Sequence, residues 1–120
     1  MKIETQFLSP LILKEIIISE GTFKRSEEDI QDIELKVMVK HDIEQTCENE
    51  YKITLDLTVS DTNEQLSVFV KSIGIFETEQ ENRTLIERNT IAIMFPYLRS
   101  YVSTLTTQPG MAPIVLPPMN

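Results

Sequence analysis

At 120 residues the chain fits one domain, large enough for a single sheet-and-helix core and small enough that association with further copies would help bury apolar surface. Nineteen acidic against eleven basic side chains leave a net charge of -8, which disfavours nucleic acid as a partner, because affinity for a phosphate backbone rests on Lys and Arg. The single cysteine, Cys47, excludes an internal disulfide and a Cys-based zinc site and suits a reducing compartment, so the expected location is cytoplasmic.

At the amino terminus, residues 7–18 hold enough Leu and Ile to suggest a signal peptide. Glu4, Pro10, Lys14 and Glu15 interrupt the run and no small-residue cleavage site follows. It also falls short of the roughly 18 apolar residues that cross a bilayer, so an uncleaved chain without membrane insertion is expected. Residues 11–19 (LILKEIIIS) read as the first strand. Plain alternation puts Leu11, Leu13 and Ile17 on one face and Ile12, Ile16 and Ile18 on the other, so both faces are apolar. Either another subunit or the carboxy-terminal tail must cover the second face. Residues 21–32 (GTFKRSEEDIQD) are polar and aperiodic and read as a connection, with Phe23 and Ile30 as isolated apolar positions.

Residues 33–43 alternate, with Ile33, Leu35, Val37 and Val39 against Glu34, Lys36, Met38 and Lys40. Residues 51–59 alternate more strictly, with Tyr51, Ile53, Leu55, Leu57 and Val59 against Lys52, Thr54, Asp56 and Thr58. Residues 41–50 between them read as a polar turn, so the two runs form an antiparallel hairpin with one wet face. The stretch Ser60-Asp61-Thr62-Asn63 supplies turn chemistry, and residues 66–76 return as a fourth strand with Leu66, Val68 and Val70 inward.

A helix follows. Thr84 with Glu87 fits a capping box, and Asn89 is a second possible start. Ile91, Phe95, Leu98, Val102 and Leu105 recur at helical spacing as one stripe, while Arg99, Ser100, Ser103 and Thr104 lie away from it. Pro96 removes one backbone bond inside the pattern, and a kink there is expected over a restart. Pro109-Gly110 stops the helix. The tail beyond it holds Pro113, Pro117 and Pro118 and should be extended, with Ile114, Val115, Leu116 and Met119 too apolar to float free.

Catalytic and metal chemistry finds little support. His41 is the only histidine and has no partner Cys or second His for a metal. No Gly-x-Ser-x-Gly elbow occurs, and three glycines cannot build a Gly-rich phosphate cradle. The carboxylates Glu48, Glu50, Glu79 and Glu81 fall in runs typical of solvated loops. No enzyme, cofactor or metal is expected. What remains is apolar surface, suited to oligomer contacts or to an extended apolar peptide. At about 25 cal/mol per Å² of buried apolar area, such a peptide needs a long groove merely to offset its ordering cost, and its sequence preference should be weak.

The run Met94-Phe95-Pro96-Tyr97-Leu98-Arg99, then Pro109-Gly110 and the ending Leu116-Pro117-Pro118-Met119-Asn120, resembles the SecB family of export chaperones, which carry a Leu-Phe-Pro-Tyr-Ala-Arg helix, a Gly-Thr-Phe-Pro turn and a Leu-Ala-Pro-Val-Asn segment. Ile73-Gly74-Ile75-Phe76 is similar to the family's Gly-Gly-Ile-Phe, and Lys14-Glu15-Ile16 to its Lys-Asp-Ile, so the resemblance covers nearly the whole chain. It implies an α+β fold over residues 1–120, a four-stranded antiparallel sheet packed on one long helix with an extended Pro-rich tail. It also implies assembly as a dimer or tetramer through first strands and helices, with Leu11, Ile12, Ile16, Ile18, Tyr97 and Tyr101 in the interface. Clients bind unfolded and without ATP. The matching client positions are Leu35, Val37 and Val39 on the second strand, Val68 and Val70 on the fourth, Phe23 in the family's crossover loop, and Ile114 and Leu116 in the tail.

Two departures accompany the resemblance. The family continues past its Pro-Val-Asn with a helix that walls the client groove, whereas this sequence ends at Asn120, so that wall is expected to be absent or cut away. The translocase motor SecA docks on acidic positions of the sheet; Glu15 matches one, while Phe69 stands where the fourth-strand acid is expected. SecB-like chaperones also serve toxin-antitoxin pairs, where the client is an antitoxin. The expected function is therefore an ATP-independent holdase for export or for a dedicated client such as an antitoxin. The alternative is an oligomeric assembly protein that uses the same apolar surface for one folded partner.

Overall fold

The computed structural model describes residues 11–30 and 33–118. The reading of residues 7–10 within a possible signal segment, and of Met119 as part of the apolar tail, lies outside them. Four strands, β1 (Ile12–Arg25), β2 (Leu35–Cys47), β3 (Glu50–Asp61) and β4 (Leu66–Glu77), precede one helix, α1 (Arg83–Leu105). All neighbours are antiparallel and the sheet order is β1-β4-β3-β2, so β3 and β4 are central and β1 and β2 are the edges. The α+β architecture expected from the strand and helix periods is the one observed.

The strict alternation of β3 and β4 sets the core. Ile53, Leu55, Leu57 and Val59 of β3, with Leu66, Val68, Val70 and Phe76 of β4, are buried on one face of the sheet. The helix closes that face with Ile86, Met94, Phe95, Leu98 and Val102. Met94 was missing from the expected stripe, and Ile91 and Leu105 are only half-buried. Gly74 explains the place of Met94: a Cβ at Gly74 would stand 2.9 Å from the Met94 sulfur and 2.8 Å from the Phe76 ring, so the missing side chain is the hollow they fill.

Several boundaries differ from expectation. The first strand runs on to Arg25, so Phe23 is a strand residue opposite Val68, not a loop residue. Bulges at Lys14 and Ser19 interrupt its pairing, and each extra residue inverts the alternation. Leu13, Ile16, Ile18 and Phe23 therefore share the helix-facing side, opposite Phe76, Gly74, Ser72 and Val68, while Ile12 and Ile17 face away. Ile16 and Ile18 thus move to the opposite side from Ile12. Residues 41–47 are strand as well, because the hairpin turns tightly at Glu48 and Asn49, with Asn49 at φ 63. Polar side chains there mark an edge strand, not a turn.

The helix starts at Arg83, where the Asn82 side chain accepts from the Leu85 N–H at 3.2 Å. Thr84 and Asn89 lie inside it. It continues without interruption through Pro96, whose missing N–H leaves the carbonyl of exposed Ala92 to water. Thr106 caps the other end, and Gly110 at φ 83 turns the chain back along the helix.

Candidate functional site

An α-helix with side chains is about 10 Å across and strands repeat about every 4.8 Å, so one helix covers roughly two strands of four. Here α1 lies over β4 and β3 and touches β1, leaving the helix-facing side of β2 at the margin of its footprint. Val37 and Val39 pair directly with Val59 and Leu57. The inner pair is 0% exposed, yet Val37 and Val39 are 40% and 41% exposed. The same apolar row is therefore core at its centre and open surface at its edge.

One end of β2 is fastened to α1. The Arg83 guanidinium donates to the Ile43 carbonyl at 2.8 Å, and His41 Nε2 lies 3.6 Å from Glu87 Oε2. At the other end, a cleft of about 380 Å³ opens between the crossover segment, β2 and the start of the tail, floored by Ile30, Ile33, Leu35, Leu66 and Ile114. Arg25 holds this corner together. It donates to the carbonyls of Ser26, Glu28 and Gly110 at 2.9, 3.0 and 3.3 Å, tying the crossover segment to the tail turn. No motif marked Arg25, because its partners are all backbone carbonyls.

The tail lies on the flank of α1 opposite Tyr97 and Tyr101. Arg99 Nε donates to the Leu116 carbonyl at 3.0 Å, Ser103 Oγ to the Ile114 carbonyl at 2.9 Å, and the Ile114 N–H donates to Thr106 Oγ1 at 2.8 Å. Arg99 and Ser103 sat off the apolar stripe for this reason: they fasten the tail. Leu116 is buried against the core and Ile114 half-buried, while Val115 points out at 74% exposure. Burying Leu116 contributes about 2 kcal/mol and each bond about 1 kcal/mol.

The expected client positions are thus divided. Val37 and Val39 are accessible, and Leu35 and Ile114 line the cleft. Phe23 is half-buried and packs on the core. Val68, Val70 and Leu116 are buried, so none of these three presents its side chain to a client in this conformation. The expected assembly positions gather at the opposite edge. Ile16, Ile17, Ile18, Tyr97 and Tyr101 border one cleft of about 320 Å³, and Ile12 and Tyr97 are about half-exposed. Tyr101 lies flat on β1 because Gly21 has no side chain; a Cβ there would collide with its ring and hydroxyl. Leu11 is half-buried against the core. Ile17, which the alternation had placed elsewhere, belongs to this edge.

On the other face of the sheet, Glu15 stands opposite Ile75, and Phe69 lies between Thr22 and Thr58. At the end of that face Lys14 Nζ lies 3.2 Å from Glu50 Oε1, and the Glu50 carboxylate also accepts from Thr46 Oγ1 and Cys47 Sγ. The hydrogen bonds from Thr46 and then Lys14 hold the Glu50 pKa below its ordinary value; Glu50 in turn raises those of Lys14 and Cys47. Among the described residues no three His, Cys, Asp or Glu side chains converge as metal ligands, and no helix is long and apolar enough to cross a membrane.

A four-stranded antiparallel sheet covered on one side by one long helix is the fold of SecB-like proteins. The match to the family model of preprotein translocase subunit SecB spans residues 1–120, and the chain belongs to that family. The protein-export protein SecB of Azoarcus sp. is 36% identical over 78 residues, 58% of this chain and 52% of that one. An uncharacterised protein of Methanocaldococcus jannaschii is 41% identical over 51 residues, 39% of this chain and 33% of that one. The chain thus aligns with about a third to a half of the length of these curated relatives. The Mycobacterium tuberculosis SecB-like chaperone, solved in complex with a ChAD peptide from the HigA1 antitoxin, superimposes with a TM-score of 0.73 at 11% identity, covering 92% of this chain and 90% of that one. That likeness establishes the shared fold.

Proposed function

We propose that this protein is an ATP-independent chaperone that holds unfolded or non-native polypeptide against the open side of β2. The observation that carries it is the exposure of Val37 and Val39, which continue the apolar row of the core and adjoin the cleft floored by Leu35 and Ile114. An extended client with apolar side chains on one face would complete that row, and a groove that offers area instead of a specific pocket accepts many sequences. Copies of the chain associate through β1 and the Tyr97–Tyr101 flank as dimers or tetramers, which brings several such rows within reach of one client. Client entry at the export pathway, with SecA contacting Glu15, or a dedicated antitoxin client are the two forms of this role. Membership of the SecB family and the antitoxin peptide held by the mycobacterial relative support them respectively.

The test is suppression of aggregation of a chemically denatured protein at stoichiometric ratio without nucleotide. Replacing Val37 and Val39 together by Asp should abolish the suppression while circular dichroism stays unchanged; suppression that survives the pair of changes would remove β2 from the mechanism. The alternative, an assembly protein gripping one folded partner, predicts no binding to a panel of short apolar peptides. Light scattering at two concentrations tests the oligomer, and Tyr97→Asp should shift it toward monomer.

A further inference from the structure

We propose that residues 111–118 occupy in cis a binding furrow on the flank of α1, and that extended apolar client segments enter this furrow by displacing them. The proposal builds on the holdase reading and names a second place where a client binds.

The tail is held the way a peptide ligand is held. Its three bonds to α1 and the helix cap all use its main chain, with Arg99, Ser103 and the cap residue Thr106 supplying the side-chain partners. Alternate side chains, Ile114 and Leu116, insert toward the core while Val115 between them points outward. Main-chain bonds plus an apolar residue at every second position describe any extended segment with that spacing, so nothing in the furrow demands this sequence. Prolines 113 and 117 keep the segment extended, which lowers the entropy lost on seating it.

Beyond its three hydrogen bonds and the burial of Leu116 and Ile114, little holds the segment in place. Among the described residues the tail makes no backbone hydrogen bond to the sheet; its one backbone bond to the body runs from Met111 to Gln108 within the turn. The furrow is also incompletely filled. The cleft of about 380 Å³ adjoins the tail at residues 110–114, and another of about 240 Å³, lined by Pro96, Arg99, Ser100 and Ser103, adjoins it at Val115 and Leu116. Gly110, at φ 83 and exposed, follows Pro109 at the point where the segment leaves the helix and supplies the pivot. A resident segment competes at the high effective concentration of any tethered ligand, so it suppresses weak binders and yields to long apolar ones.

Hydrogen exchange on the unaltered protein decides this without a variant. At a saturating concentration of a short peptide alternating isoleucine and serine, the amide of Ile114, whose N–H is bonded to Thr106 Oγ1, should exchange at least about tenfold faster, because the segment is released. Unchanged or slower exchange there, with the peptide bound, overturns the proposal and leaves the holdase reading intact. A second arm uses Leu116→Ala, which weakens the resident segment and spares the furrow. It should bind the alternating peptide about tenfold more tightly than the parent protein, and should also bind a synthetic peptide of residues 111–118 in trans. Loss of affinity in Leu116→Ala overturns the proposal. If the parent protein binds no apolar peptide while Leu116→Ala still takes up the tail peptide, the furrow stands and the holdase reading fails.

Discussion

The inner faces of β2 and β3 carry alternating apolar residues in paired register, yet β3 is core along its length while β2 is core at Ile43 and half-open at Val37 and Val39. Val59 and Leu57 are 0% exposed while their partners Val37 and Val39 are about two-fifths exposed. Neither propensity nor pattern separates the two strands. Their distance from the helix axis does, because a single helix has the width of about two strands and α1 is centred over β4 and β3. Apolar residues that fall outside this footprint are available for binding and contribute less to stability.

The largest effect that would break this comparison comes from truncating the paired valines. Val59→Ala should cost about 2–3 kcal/mol in urea unfolding, through lost transfer energy and the cavity left behind, whereas Val37→Ala should cost about 0.5 kcal/mol. Equal costs would mean that β2 is as well covered as β3. Next comes Gly74→Val, which forces new methyl groups against Met94 and Phe76 beneath the helix and should cost about 1–3 kcal/mol. The same change at a solvent-facing position of β2 should be nearly neutral. Arg83→Ala removes the bond to the Ile43 carbonyl and should cost about 1 kcal/mol. Its sharper signature is faster amide exchange confined to residues 41–47, the end of β2 that the helix fastens.

The smallest effect concerns the Lys14–Glu50 contact at the end of the other face. Glu50 has a lowered pKa, so its contribution is present above the ordinary carboxylate value of 4.5 and fades as pH falls through the lower folded-state value. Lys14 has a raised pKa, so its contribution is full below 10.5 and fades only as pH rises through the higher folded-state value. Both groups are solvent-exposed, and such pairs are worth little. Stability curves of Glu50→Gln and the parent protein should converge as pH falls below the lowered folded-state pKa of Glu50 and differ slightly through the neutral range.

Much of the fold was legible because period and turn chemistry are local. The alternation in residues 51–59 and 66–76 and the helical spacing around Leu98 each follow from which face of an element must be dry. Boundaries failed where two causes look alike in sequence. The polar run at residues 41–47 reads as a turn, but an edge strand with one wet face has the same composition. The sides of β1 were assigned by plain alternation, and the bulges at Lys14 and Ser19 inverted it, bringing Ile16 and Ile18 inward beside Leu13. Of the positions the resemblance assigns to a client, Val37 and Val39 are exposed, while Val68, Val70 and Leu116 lie in the core, and alternation alone does not separate the two groups. Arg25, Arg99 and Ser103 were invisible as fasteners because a side chain that bonds to a distant backbone carbonyl leaves no motif.

The amino-acid order alone determined that four short-period runs and one long-period run would form a sheet and a helix, since burial on one face fixes the spacing of apolar residues within each element. It also carried the family resemblance, through the Phe95-Pro96-Tyr97 helix and the turn after it. Only the tertiary structure decided which apolar residues are spent on the core and which remain at the surface. That choice depends on where a helix of finite width comes to rest across four strands, and on which flank the chain folds back along, neither of which any single segment encodes.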